Sequence, residues 1–501
     1  MKKVFLYILA LTAVLTACHN VKVPEKFTDI NKTPRIYPDY TDVTIPVNIA
    51  PLTFELGDAC DEIVARFTVG DFELLCGGQA VQPEMDDWRE MVNKAVNKDI
   101  NVEVYARFGE SWERYKPFHI TVSPDSIDPY ISYRLISPSY VAYEELTLNQ
   151  RCLENYDEEV IVNNMLCGEE ISGQCVNCHN YQQYNPKRMQ FHARQFHGGT
   201  VIAYDGKLSK INMRNDSILS AGVYPAWHPW LPLIVYSTNK TSQSFHTQNP
   251  NKVEVFDAVS DLIAYDVTKN EVTNIENDVN EFEVFPVWAP NGKTLYYCSA
   301  HFEFRDTVEH GTEVIRRYQE VKYNIYKKSF DLNTYQFGPR ELVFQADSLG
   351  KSATLPRISP DGRYLMFTMG NYGVFHIWHR EADLYLLDLA SGQVRAMDEI
   401  NSKETESYHA WSSNGHWVVF SSRRDDGSYT RPFFAHIDAN GKGSKPFELP
   451  QADPDYHRQF LKCYNIPEFM RGPVEVTPQE FASVLKASDG NPVKYVPMLS
   501  K

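Results

Sequence analysis

The chain has 501 residues, which is too long for one ordinary hydrophobic core and predicts two or three domains. Hydrophobic residues make up 43%, which excludes a disordered chain, and the 13% of aromatic residues with 25 Gly and 29 Pro favours β-structure over helical bundles. The net charge of −16 argues against a nucleic-acid partner, because proteins that bind nucleic acids present basic surfaces.

The N-terminus has the layout of an export signal. Lys2 and Lys3 precede an apolar run, Val4–Leu15, which is too short to span a membrane. The run ends in Leu15-Thr16-Ala17-Cys18, which resembles a bacterial lipobox, where the signal is removed before the Cys and that Cys is lipidated. An ordinary signal peptide with a chance Cys is the alternative.

This resemblance implies that residues 1–17 are a signal peptide and that Cys18 anchors the protein to a membrane through acyl chains. Residues 18–40 are weakly patterned, and we interpret them as a tether. His19 is not the Asp of the best-known inner-membrane retention rule, so we expect an outer-membrane lipoprotein that faces the periplasm.

Residues 41–138 are predicted to form a small β-rich domain. Polar and apolar residues alternate over Asn101–Phe108 and Phe118–Val122, as in half-buried strands, and Asp86–Lys98 is patterned as one short amphipathic helix. The next segment, 139–190, is predicted to be helix and loop, because Ser139–Cys167 is rich in Glu, Asn and Leu.

That segment contains a cysteine motif. Cys175-Val176-Asn177-Cys178-His179 has the spacing of a c-type haem attachment site. The two thiols would add to one porphyrin edge, and His179 would bind the iron as an axial ligand, so the motif predicts one haem c. Two alternatives stay open: a thioredoxin-like redox pair, which needs a βαβ setting, and a zinc site completed by His192 and His197.

The second axial ligand of the iron is expected from Asn185–Arg194, which is close enough in sequence to fold back over the ring. His192 is the first candidate and Met189 the alternative, and a Met ligand would raise the reduction potential relative to a second His. Either residue could equally be an ordinary strand residue.

Six of the nine cysteines remain after Cys18, Cys175 and Cys178 are assigned. An exported protein retains disulfides, but the sequence does not determine their pairing. Two neighbouring pairs are candidates and the last two cysteines are expected to be buried: Cys60/Cys76, Cys152/Cys167, Cys298 and Cys463.

Residues 191–450 contain an internal repeat. Each copy joins an aromatic or apolar residue to Pro or His, and three copies continue into an Asn-Gly or Asp-Gly turn that suits antiparallel strands. The copies are Tyr224–Pro229, Phe285–Lys293, Leu355–Arg363 and Tyr408–His416. Repeats of this kind indicate a propeller or a solenoid.

The copies resemble the Pro-Asp-Gly, WD40-like repeat of TolB-type β-propeller proteins. Ile358 replaces the usual Trp in one copy, and Trp230-Leu231 replaces Asp-Gly in another. The resemblance implies a propeller of about six blades, with a degenerate blade near Phe191. We expect the repeat Trp and Pro residues to pack between blades, and residues 451–501 to form a C-terminal tail.

These features predict a mainly β, envelope-anchored monohaem c-type lipoprotein, which transfers electrons or couples redox state to binding through its propeller. Its partner would be an unidentified redox or envelope protein. The alternative is a propeller scaffold for protein–protein interaction at the outer membrane that carries no electrons. An enzyme is not predicted, because one haem argues against a multi-electron reductase and the sequence has no Gly-x-Ser-x-Gly nucleophile motif. A subunit of a redox enzyme stays an alternative.

Overall fold

The computed structural model describes residues 21–138, 145–168, 174–305 and 309–501. The predicted signal peptide and the predicted lipidation site at Cys18 lie outside these residues. The chain divides into two compact units, of which the first comprises residues up to 42, 51–122 and 451–455, and the second 43–50, 123–450 and 456–501. No helix in the described ranges is long and apolar enough to cross a membrane.

The first unit is a twisted sheet with one helix, α1 (Met85–Lys94). The strands up to residue 123, of which β3 belongs to the second unit, are β1 (Thr28–Asp29), β2 (Ile36–Tyr37), β3 (Thr44–Pro46), β4 (Glu55–Leu56), β5 (Glu62–Val69), β6 (Phe72–Gly78), β7 (Asp99–Phe108), β8 (Ser111–Arg114) and β9 (Phe118–Ser123). The main sheet has the order β1-β8-β7-β5-β6, and β9 pairs with β7.

The strands predicted from alternation at 101–108 and 118–122 are confirmed. In β7 the apolar residues Ile100, Val102 and Val104 are buried between more exposed polar neighbours. The segment expected to be a tether is more structured than its composition indicates, since β1 pairs with β8 and β2 pairs with β4.

The second unit is a β-propeller. Its helices are α2 (His310–Arg316), α3 (Tyr456–Gln459) and α4 (Pro478–Ala487). Its strands after β9 are β10 (Tyr130–Ile136), β11 (Thr147–Cys152), β12 (Glu158–Asn163), β13 (Val176–Tyr181), β14 (Met189–Ala193), β15 (Gly199–Tyr204), β16 (Lys207–Asn212), β17 (Gly222–Trp227), β18 (Leu233–Phe245), β19 (Val253–Asp266), β20 (Glu271–Glu276), β21 (Glu281–Trp288), β22 (Thr294–His301), β23 (Asn324–Phe330), β24 (Phe337–Phe344), β25 (Ser352–Ile358), β26 (Tyr364–Gly370), β27 (Asp383–Asp388), β28 (Val394–Ala396), β29 (Glu406–Trp411), β30 (Trp417–Ser422), β31 (Arg431–His436), β32 (Phe447–Glu448), β33 (Cys463–Met470), β34 (Asn491–Pro492) and β35 (Lys494–Tyr495).

Six inner strands surround the propeller axis. In spatial order they are β13, β17, β21, β25, β29 and β33, each contacts the next, and β33 contacts β13 to close the ring. Outward from them, antiparallel strands complete the sheets, except that β34 and β35 add to the sheet edges in parallel. Strand β33 joins β10–β12 although it lies more than 300 residues further along the chain.

The prediction of about six separate blades is corrected. Within the described residues, four sheets are discrete blades: β10–β12 with β33, β13–β16 with β34, β25–β28, and β29–β32. The strands β17–β24 lie with β35 in a single nine-stranded sheet instead. The reason is the length of β19, whose Ser260 pairs in parallel with Phe282 of β21 and so joins two antiparallel meanders.

Each inner strand bends at one residue in the left-handed backbone region. Their φ angles lie between 48° and 57°, and each residue coincides with a shift of register against the neighbouring strand, as in a β-bulge. These residues are Cys178, Tyr224, Phe285, Leu355, Tyr408 and Ile466. The next residue is Pro in four strands and His in two. The bulge residue and the residue after it are therefore the part of the repeat that all six inner strands share.

The predicted helical segment is wrong where the structure describes it. Residues 145–168 form β11, β12 and a short 3-10 turn at Asn164–Leu166, and the cysteine motif enters β13. Every residue of β11 is buried between β10 and β12, so tertiary burial outweighs the helix propensity of this segment. Residues 451–501, expected to be a tail, supply β33 and α4.

The cysteine pairs considered from sequence are not bonded. Cys60, Cys76, Cys152 and Cys167 are all free thiols. Cys167 packs in the hydrophobic cluster around Leu148 and Phe191, whereas Cys60 is partly exposed in the first unit. Cys298 and Cys463 are buried, as expected.

Candidate binding site on the propeller axis

The predicted haem residues lie at the start of an inner propeller strand. Cys175 immediately precedes β13, and Cys178 and His179 lie within it. All three side chains are buried. Cys178 has the left-handed φ of the bulge, and His179 follows it at the position that Pro225, among others, occupies in its own strand. The motif is therefore one copy of the propeller repeat, with Cys in the aromatic position and His in the Pro position.

The His179 imidazole has an unusual environment. Neither of its ring nitrogens has a hydrogen-bond partner, and its ring meets Tyr181 edge-on at 6.3 Å between centroids. Burial, and then the nearby charge of Arg134, lowers the pKa of His179 to about 3, so the ring is neutral. A buried N–H without an acceptor costs about 1–3 kcal/mol.

The two candidates for the second axial ligand are engaged elsewhere. Met189 is fully buried in the hydrophobic cluster and lies opposite Tyr181 in the strand pairing. His192 contacts Thr200 through Nδ1 and Oγ1 at 3.1 Å and lines a cavity of about 440 Å³ together with Lys210.

This arrangement does not fit a covalently bound haem. Attachment requires both thiols at one porphyrin edge and the imidazole over its centre. Cys175 lines a cavity on the propeller axis, but Cys178 and His179 are not among the residues that line it. Strand β13 is also fixed by β14 and by its neighbours in the inner ring. Haem attachment at this motif stays a prediction.

The axial cavity beside Cys175 has a volume of about 110 Å³. Its walls combine two arginines, four aromatic rings, two thiols and several amides and hydroxyls, which come from the inner strands, from β10, β18 and β19, and from adjoining loops. The principal ones are Arg134, Arg194, Tyr224, Phe375, Trp378, Tyr408, Cys175, Cys463, Asn177 and Asn465.

Arg134 is the distinctive residue of this cavity. It lies on β10, opposite Asn465 of β33, and only 9% of its surface is exposed. Its Nε has no hydrogen-bond partner, and no carboxylate of the described residues forms an ion pair with it. An uncompensated buried charge costs several kcal/mol, so an anion in the cavity would stabilise this side chain.

A second axial cavity, of about 180 Å³, lies beyond the bulges at the other end of the inner strands. The repeat residues Trp227, Trp288 and Trp411 line it, so they face the axis as well as packing in blades. Its arginine, Arg357, forms an ion pair with Glu468 at 3.1 Å. The charge at this end is therefore compensated, whereas no carboxylate in the described part of the chain pairs with Arg134.

Sequence reasoning did not identify Arg134, Asn465 or Trp378. They come from a strand, its distant partner and an insertion, and no short motif links them. His376 and His379, which lie on either side of Trp378, are buried. His376 bonds to Thr354 and His379 to Glu254, which explains their burial.

No protein-family model and no curated protein matches the chain. Among solved structures it is similar to prolyl oligopeptidase B from Galerina marginata, with 10% identity over 69% of this chain and 42% of that one, and a TM-score of 0.34. It is also similar to a DUF4784 family protein from Bacteroides caccae, with 8% identity, coverage of 72% and 95%, and a TM-score of 0.27. A β-propeller domain from Myceliophteria thermophila gives 11% identity, coverage of 66% and 88%, and a TM-score of 0.30. The chain thus spans less than half of the oligopeptidase, and the resemblance to TolB-type proteins stays a prediction.

Proposed function

We propose that the protein is an envelope-anchored β-propeller scaffold that binds an anionic ligand in the axial cavity beside Cys175. The observation that carries this proposal is the buried guanidinium of Arg134, which lines the cavity without a carboxylate partner in the described part of the chain. The envelope location rests on the signal-like N-terminus and Cys18. Electron transfer is not part of this proposal.

The walls of the cavity indicate the kind of anion. Tyr224, Phe375, Trp378 and Tyr408 provide apolar ring surfaces, and Arg134 provides a planar set of donors that matches a carboxylate. A small carboxylate with a flat apolar body satisfies both kinds of surface. An acidic side chain of a protein partner would use the same chemistry.

Benzoate is a suitable probe, because it joins a carboxylate to one aromatic ring. We expect isothermal titration calorimetry with the mature chain to show saturable benzoate binding, much weaker binding of neutral benzyl alcohol and none of cationic benzamidine. Arg134→Met should weaken benzoate binding about 10-fold or more, because a hydrogen-bonded charge contributes about 1.5–3 kcal/mol.

Arg89→Met, on the surface of helix α1, is the matched control and should leave benzoate binding unchanged. Equal affinities of the unchanged protein for benzoate and benzamidine would contradict the proposal. A native affinity for benzoate in a folded Arg134→Met protein would also contradict it.

A further inference from the structure

A separate cluster of potential metal ligands lies where the segment before β10 meets the β29–β32 blade. The segment before β10 is fixed to the turn between β29 and β30. Ser413 donates to both carboxylate oxygens of Asp128, through N and Oγ at 2.6 Å each, and the Asn414 amide donates to the Ser126 carbonyl at 2.6 Å. This contact places Asp125 beside the turn that ends at His416.

Three potential ligand atoms converge at this point. The Oδ2 atom of Asp125 lies 2.9 Å from Nε2 of His436 and 3.8 Å from Nδ1 of His416. The three atoms all lie within 4.8 Å of one another, and the two imidazole rings are nearly parallel, at 10°. The side chains are between 20% and 45% exposed, so an ion and a water molecule can reach them.

We infer that Asp125, His416 and His436 form a binding site for one divalent transition-metal ion. Two imidazole nitrogens and one carboxylate oxygen are a common ligand set for zinc, with a fourth position open to water. At bond lengths of about 2.0–2.1 Å, tetrahedral ligand atoms lie about 3.4 Å apart, so small side-chain rotations close the site. The same set with more open positions suits iron(II).

A hydrogen bond between Asp125 and one His explains less of this geometry than a metal site does. A hydrogen bond needs only one His beside Asp125, yet both His416 and His436 approach the same oxygen atom. A metal ion would use one nitrogen of each ring together with this carboxylate oxygen.

The surrounding residues hold the ligands in place. Trp417 donates from its indole nitrogen to the Asp125 carbonyl at 3.0 Å, and its ring packs edge-on against His436 at 4.9 Å. The Ser123 hydroxyl donates to the Asp125 carboxylate at 3.1 Å. Such outer contacts orient the ligands of a metal site before the ion binds.

Titration of the metal-free mature chain with Zn²⁺ tests the site independently of anion binding. We expect one Zn²⁺ per chain in calorimetry, and at least a 10-fold loss of affinity in each of Asp125→Asn and His416→Ala. The titrations are made with Cys175→Ser/Cys178→Ser protein, so that these thiols cannot take the ion. His301→Ala, an exposed His that contacts Glu281, is the matched control and should bind like the parent.

Co²⁺ provides a second measurement that does not depend on affinity. The parent bound to Co²⁺ should give the visible absorption of a tetrahedral or five-coordinate ion, and folded His436→Ala protein should lose it. The inference would be overturned if the parent bound no Zn²⁺. It would also be overturned if Asp125→Asn and His416→Ala bound Zn²⁺ with the parent's affinity.

Discussion

At the scale of residues, the pair Cys178-His179 satisfies two sequence patterns at once. With Cys175 it matches the spacing of haem attachment, and in the structure it takes the place of the bulge residue and the following Pro of an inner strand. The repeat was not recognised here from sequence because the usual Pro-x-Trp-Ser-Pro-Asp-Gly is replaced by His179-Asn180-Tyr181-Gln182-Gln183. Cys178 shares a positive φ angle with the bulge residues of the other copies. This backbone angle cannot be read from the residue type at this position.

Replacing His179 tests whether it acts as a repeat residue. We expect His179→Pro to leave the free energy of unfolding within about 1 kcal/mol of the parent, because Pro suits the other inner strands and removes two unpaired buried nitrogens. His409→Pro is the matched control, and it should lose about 1 kcal/mol more, since His409 bonds to the Met366 carbonyl. Urea denaturation measures both values. A loss of several kcal/mol in His179→Pro alone would show that the position needs His.

At the scale of elements, strands with a clear alternation were predictable and strands buried on both faces were not. Strand β7 has alternating polar and apolar residues because one of its faces is more exposed than the other. Strand β11 is buried at every position, so its sequence does not alternate and its composition favoured a helix. The length of β19, which joins two meanders into one sheet, depends on pairing that no local pattern shows.

Strand β21 carries a buried acid whose effect depends on pH. Neither carboxylate oxygen of Glu283 has a hydrogen-bond partner, and burial, followed by the charge of Glu276, raises its pKa from 4.5 to about 9. The native state therefore keeps a proton that the unfolded chain releases above pH 4.5. The stability that Glu283 contributes is present below pH 4.5 and is lost as the pH rises towards 9.

Glu283→Gln keeps the shape of this side chain and removes its titration. We expect the variant to gain roughly 1–3 kcal/mol of unfolding free energy over the parent at pH 8, and to differ little from it at pH 5. Urea denaturation at both pH values measures the difference. The exposed Glu341→Gln on β24 should match the parent throughout, and a similar result for Glu283→Gln would contradict the assigned protonation.

At the scale of the whole molecule, the sequence repeat was sufficient to predict a propeller but not its closure. The ring closes through β33, which pairs with β10 across more than 300 residues, and a local pattern holds no information about such a partner. The same pairing brings cavity residues together, since Arg134 lies on β10 and Asn465 lies on β33. The candidate site therefore forms only when the propeller ring closes. The cysteine motif by itself contains no sign of this site and predicts haem attachment.

The central claim is that Cys178 and His179 belong to a propeller strand and that Cys175, which precedes this strand, lines an anion-binding cavity. The most direct measurement is the absorbance spectrum of reduced, mature protein, produced together with the haem maturation machinery and extracted with acid-acetone. The account predicts no α-band of a covalent haem and unmodified thiols at Cys175 and Cys178. A sharp α-band that survives extraction, and disappears in Cys175→Ser/Cys178→Ser protein, would contradict it.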